Sequence, residues 1–176
     1  MNSKNSDQIL TLPSSGDESA AISRHYLYPG TLFAHREPHL VTTVLGSCVS
    51  VCLWDQTARV GGINHYLLPL WNGEGLPTPK YGNIAIAKLA EKVQALGAGS
   101  KLIAKVFGGA SMWEKTDGLL AVGQRNIELA IEMLDQQRIP VISSDLGGPV
   151  GRKIIFNTGD GTVLLKRQRA LRADAE

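Results

Sequence analysis

Cysteine is scarce in this sequence: two residues in 176, Cys48 and Cys52. A disulfide framework is excluded, because domains held together by disulfides are dense in cysteine. No apolar run approaches the ~20 residues that cross a bilayer. The opening stretch, MNSKNSDQILTLPSSGDESA, lacks the apolar core of a secretory leader. A cytoplasmic location with reduced thiols is therefore expected. Charge is also sparse. Lys and Arg number 18 against 16 Asp and Glu, a net charge of +2, and charged residues make up 19% of the chain. That excludes the strongly basic face of a dedicated nucleic-acid binder. Trp54, Trp71 and Trp113 are too dispersed to stack bases, although Trp71 and Trp113 fall in expected loops and could serve a protein-binding surface. Cys48-x3-Cys52 has no second cysteine pair, and His35-x3-His39 flanks Pro38 in a loop, so no metal and no cofactor are expected. The glycine-rich stretches Phe107-Gly108-Gly109 and Asp145-Leu146-Gly147-Gly148 match neither nucleotide-binding pattern and read first as tight turns.

What is present is one ordinary domain. The apolar fraction of 43% suffices for a core. Residues 1–22, rich in Ser, Asn, Asp and Gly, are expected to form a disordered tail, 23–167 the folded domain, and 168–176 a charged tail. Helical spacing predicts a helix over 84–96, with Leu89, Val93 and Leu96 on one stripe and Gly97 as its stop. A second helix is predicted over 122–136, with Ile127, Ala130, Ile131 and Leu134 buried. Strands are predicted over 40–45, 49–54, 60–68, 102–107, 140–144, 153–157 and 162–166, with turns over 55–59 and 157–161. Strands outnumber helices and follow one another closely. The expected class is α/β of the α+β type: a layered sandwich of mixed, largely antiparallel sheet with two main helices.

The segment Thr42–Pro69, TTVLGSCVSVCLWDQTARVGGINHYLLP, carries the chemistry. If Trp54 and Arg59 close the hairpin loop, Cys48 lies opposite His65, with Cβ atoms ~4.5–5.5 Å apart. An imidazolium beside a thiol favours the nucleophilic thiolate. Gly46 and Ser47 are small and leave backbone amides around Cys48 that could hold an oxyanion. The plainer reading is a buried structural cysteine and a core histidine. Cys52, on the same face but without a Gly-Ser turn before it, is assigned to packing.

These residues resemble the CheD family, bacterial chemoreceptor glutamine deamidases. The resemblance rests on TTVLGSCVSVCLWD and VGGINHYLLP. It continues through YGNIAIAKLAEKVQALGA, Phe107-Gly108-Gly109-Ala110, VGQRNIE and DLGGPVGRKIIFNTGDGTV, covering about Tyr28 to Lys166. It implies a layered sandwich shared with bacterial deamidating toxins. The implied activity is hydrolysis of glutamine side chains on methyl-accepting chemotaxis proteins. The family's motif maps the catalytic Cys, His and Thr onto Cys48, His65 and Thr42, with Thr43 as the competing threonine. Gly108 and Gly109, with Gly46 and Ser47, become walls of the substrate groove. The long N-terminal stretch and Ile63, where Met is expected, depart from the pattern. The implied partners are the receptors, with a CheC-type phosphatase as an optional one. The competing reading is a non-catalytic chemotaxis module that binds receptors or that phosphatase. A cysteine protease or transglutaminase would use the same pair of side chains on other acceptors.

Overall fold

A computed structural model describes residues 21–111 and 121–168. Trp113 and the chain ends, 1–20 and 169–176, lie outside the described residues. Among the described residues, nine strands and two helices follow in the order β1 (Ser23–Tyr26), β2 (Thr31–His35), β3 (His39–Leu45), β4 (Val49–Asp55), β5 (Val60–His65), α1 (Gly82–Ala95), β6 (Leu102–Gly108), α2 (Val122–Gln136), β7 (Val141–Leu146), β8 (Arg152–Asn157) and β9 (Val163–Arg167). They form two sheets, β1-β3-β8-β9 and β2-β5-β4-β6-β7. Only β1–β3 and β6–β7 pair in parallel; the other pairs are antiparallel. The mixed, largely antiparallel sandwich with two helices is therefore as expected.

Period-2 alternation sorts the side chains into layers. Val41, Leu45, Ile154 and Phe156 of the first sheet pack against Cys52, Ile63 and Phe107 of the second. On its other face the second sheet presents Val51, Leu53 and Val106 to Ile86, Leu89, Val93 and Leu134 of the helices. The result is a sheet–sheet–helix sandwich. Helix α1 ends as predicted, with Leu96 at the cap and Gly97 following at φ 105°, the left-handed conformation that side chains resist. In α2 the buried stripe runs through Gly123, Asn126, Ala130 and Leu134, with Ile127 packed at its edge. Ile131 is 41% exposed, so its expected burial is not met. The stripe leans toward Asn126 because a buried polar side chain finds its partners there.

Two of the changes from the predicted boundaries bear on the site. Strand β5 stops at His65, after which Tyr66 and Leu68 make isolated bridges to Val49 and Tyr81. The β4–β5 loop is closed by Asp55 and Val60 rather than by Trp54 and Arg59. Asp55 fixes this: its Oδ1 accepts from the Thr57 and Ala58 amides, and Oδ2 accepts from Gly99. Arg59 stays in the turn at φ 53°. Those amide bonds, first that of Ala58 and then that of Gly99, hold the Asp55 carboxyl below its usual range.

Candidate active site

Moving the loop closure by one residue on each strand shifts the hairpin register by two. Ser50, not Cys48, stands opposite His65 in this register. Cys48 is its diagonal neighbour on the same face, since residues two apart on a strand share a side. The expected face-to-face pair is thus a diagonal one. Cys48 is half-buried just ahead of β4, whereas His65 is 1% exposed at the end of β5. Cys52 is fully buried between the sheets, as a packing residue would be, and burial pushes its thiol pKa far up.

The orientation of His65 follows from one hydroxyl. Thr43 Oγ1 donates to the Leu27 carbonyl at 2.8 Å and lies 2.7 Å from His65 Nδ1. A hydroxyl has a single proton, and this one is committed to Leu27. Thr43 must therefore accept from His65 Nδ1–H, which places the other lone pair on Nε2. Nε2 is buried and has no hydrogen-bond partner among the described residues. Desolvation lowers the His65 pKa from 6.5 to about 4, so the ring is neutral near pH 7. Burial likewise raises the Cys48 thiol, an effect opposed by its own backbone amide lying against the sulfur. At rest the two groups are a thiol and a neutral imidazole on one face with no hydrogen bond between Nε2 and the sulfur, which differs from the expected imidazolium–thiolate pair. Such an imidazole can take the thiol proton as the sulfur attacks a carbonyl.

Thr42 does not take part in this contact. Val41, Thr43 and Leu45 are the buried positions of β3, so Thr42 lies on the opposite face, half-buried and paired with Tyr26 and Ile155. The structure brings Thr43, rather than Thr42, to His65. The signal was legible in the alternation, because Thr43 shares the parity of Val41 and Leu45.

The loop before the thiol is held by its carbonyls. Gly46 O accepts from Ala110 N–H at 2.9 Å and Cys48 O from Gly109 N–H at 2.8 Å. Ser47 O accepts from Asn126 Nδ2 at 3.1 Å. Across a trans peptide the next N–H points away from the carbonyl. The Ser47 and Cys48 amides therefore face away from loop 108–110 and from α2, and the Cys48 amide lies against its sulfur. Backbone amides beside a thiol are the groups that can hold an oxyanion. Gly108 is buried at φ 111°, and a Cβ there would run into the Cys48 carbonyl. Gly108 and Gly109 are the floor beneath the loop that carries Cys48. The second glycine-rich loop braces the first: Gly147 N–H donates to Gly108 O and Ser111 N–H to Gly148 O. That brace is anchored by Arg152, buried and ion-paired to Asp145 at 2.7 Å, with Arg167 on the other carboxylate oxygen. Burial alone would raise the Asp145 pKa, but the two guanidinium groups outweigh it and hold it low.

The other candidates are accounted for locally. His35 Nδ1 accepts from the Glu37 amide and His39 Nδ1 donates to the Glu37 carbonyl. Their rings sit 4.8 Å apart beside Phe33. No group of three or more His, Cys, Asp or Glu is arranged to hold a metal among the described residues. Trp71 is tied to its own loop, its indole N–H donating to Glu74 O. Among the described residues no helix is long and apolar enough to cross a membrane.

An α+β sandwich with a cysteine and an oriented neutral histidine on one face, beside a hydrogen-bonded loop of small residues, defines a class: proteins that hold the side chains on which cysteine-dependent acyl chemistry draws. The comparisons narrow that class. Residues 67–167 match the family model described as CheD chemotactic sensory transduction. A "Probable chemoreceptor glutamine deamidase CheD" of Trichlorobacter lovleyi is 53% identical over 154 residues, 87% of this chain and 96% of the relative. Proteins of the same name in Sulfurimonas denitrificans and, as CheD 1, in Anaeromyxobacter dehalogenans are 49% and 46% identical. These matches cover 81% of this chain in both cases, and 93% and 83% of the respective relatives. The chain belongs to the CheD family.

Proposed function

We propose that this protein hydrolyses glutamine side chains of chemoreceptors to glutamate and ammonia, with residues 23–167 as the working domain. The observation that carries the reading is the His65 ring, pinned by Thr43 so that its unpartnered Nε2 shares a face with Cys48. The substrate class comes from the names of its relatives. In the first half-reaction the Cys48 sulfur bonds to the side-chain carbonyl carbon while His65 Nε2 takes the thiol proton. The Ser47 and Cys48 amides hold the oxyanion. Collapse breaks the C–N bond, His65 returns its proton to the departing nitrogen, and ammonia leaves a thioester. Water, deprotonated by His65, then attacks the thioester; the carboxylic acid departs and the thiol is restored. The protein acts in the cytoplasm, on glutamines that project from a receptor's helical coiled coil into a shallow groove at the half-buried thiol.

Incubation with the cytoplasmic fragment of a receptor from the same organism, followed by peptide mass mapping, tests this directly. The expected product gains about one dalton at particular glutamines, because one amide nitrogen is exchanged for oxygen, without cleavage or cross-link. Cleavage or cross-linking would point to a protease or transglutaminase. An unchanged fragment that still binds would favour the interaction-module reading.

A further inference from the structure

We infer that Asn126 is the positioning residue of the Cys48–His65 pair. The side chain lies in the first turns of α2 and is 0% exposed, an unusual place for an amide. Both hydrogens of its Nδ2 are used. One goes to Ser47 O at 3.1 Å, the residue before the nucleophile; the other goes to Leu67 O at 2.9 Å, two residues beyond His65. Its backbone carbonyl accepts from the Tyr66 hydroxyl at 2.5 Å. Tyr66, adjacent to His65, in turn exchanges two backbone hydrogen bonds with Val49, adjacent to Cys48. A closed ring results, from Ser47 through Cys48 and Val49 to Tyr66 and Leu67 and back through Asn126. Both reactive residues are bracketed by atoms that one side chain holds.

The bond to Ser47 O does a second job. It sets the plane of the Ser47–Cys48 peptide and hence the direction of the Cys48 N–H, one of the two amides assigned to the oxyanion. No isostere replaces this group. Asp has the shape but would set acceptors against two carbonyl oxygens, and Leu would leave both carbonyls buried without donors. One turn earlier, Gly123 lets α2 approach closely, since a Cβ there would meet Gly109 O at 2.6 Å and Ala110 O at 2.8 Å. The helix thus meets the nucleophile loop both directly and through its floor.

The inference rests on the deamidase reading for its rate readout but not for its first test. In Asn126→Ala, shown to be folded by circular dichroism and by a melting temperature well above that of the assay, Cys48 alkylation by iodoacetamide is followed against pH without any receptor. A displaced His65–Cys48 pair shifts that profile and slows labelling at pH 7 by ~10-fold or more. On the receptor fragment kcat falls ~10–10²-fold while KM is unchanged, as a misplacement of about 1 Å would cause. Asn126→Ser, which cannot reach both carbonyls, gives an intermediate loss and serves by the same criteria if the Ala variant does not fold. A wild-type alkylation profile and kcat, with only the melting temperature lowered, would reduce Asn126 to a structural residue and overturn the inference. If the wild-type protein deamidates nothing, the deamidase reading fails and the alkylation profile alone decides the role of Asn126.

Discussion

Replacing Thr43 by Val keeps the outline of the side chain and removes its hydroxyl. Two buried groups then lose their partner: the Leu27 carbonyl and the Nδ1–H of His65. Each orphaned buried polar group costs roughly 1–3 kcal/mol, so a total of about 2–6 kcal/mol is expected. In a domain of this size that lowers the melting temperature by roughly 4–24 °C. The effect on rate is separate. Without an acceptor at Nδ1 the ring no longer favours the tautomer that leaves Nε2 free. A carboxylate in that role is worth ~10⁴-fold elsewhere, so a neutral hydroxyl is expected to be worth roughly 10–10³-fold in kcat. Thr42→Val is the control: it alters a half-buried group on the outer face of β3, where changes stay within about 0.5 kcal/mol, and leaves turnover unchanged. Both variants are compared by thermal unfolding and by peptide mass at a temperature where both are folded. A loss of turnover in Thr42→Val with wild-type turnover in Thr43→Val would refute the orientation argument.

Other consequences follow from the same geometry. Because burial lowers the His65 pKa to about 4, protonation removes the base only in acid: kcat/KM should stay level from neutrality to about pH 5.5 and fall toward pH 4, and an acid limb at 6.5 or above would contradict it. The sign for stability is the same, since the unfolded histidine binds its proton more tightly: the contribution of neutral His65 is complete above pH 6.5 and drains away as pH drops toward about 4, read by urea unfolding across that range. Iodoacetamide near neutral pH should label the half-buried Cys48 before the buried Cys52, with Cys48→Ala inactive but folded and Cys52→Ala active and slightly less stable; site-resolved mass spectrometry reads the order. Gly108→Ala drives a methyl into the Cys48 carbonyl at a left-handed φ, and should cost ~10²-fold in kcat by displacing the nucleophile loop, measured beside its melting temperature.

The parts of the fold written in apolar periodicity were legible in the residues themselves. Helix α2 spans 122–136 as its spacing predicts, and β3, β4, β6 and β8 fall within a residue of their expected starts. Strands β1 and β2 escaped because Ser23–Tyr26 is exposed along its whole length and Thr31–His35 buries only Ala34, so neither shows the alternation of a half-buried strand. The hairpin register was misplaced by a turn effect rather than a pattern effect: Asp55 looks like a loop residue, and only its three amide partners reveal that it closes the ladder. Cys48 and His65 came from chemistry and spacing, and the structure sets them on one face. Asn126 left no such trace, because an Asn within an amphipathic helix reads as solvent-facing until the two carbonyls it serves, 79 and 59 residues away, are in place.

The central claim is that Cys48 and His65 perform chemistry rather than merely fill space. His65→Asn tests it, with deamidation of a receptor fragment followed by peptide mass and affinity for that fragment followed by calorimetry on the same protein. Asparagine keeps a polar group of similar reach but cannot carry a proton near neutral pH. Turnover should fall by ~10²–10⁴-fold with affinity unchanged. Turnover close to wild type would return His65 to the role of a buried core histidine and contradict the mechanism.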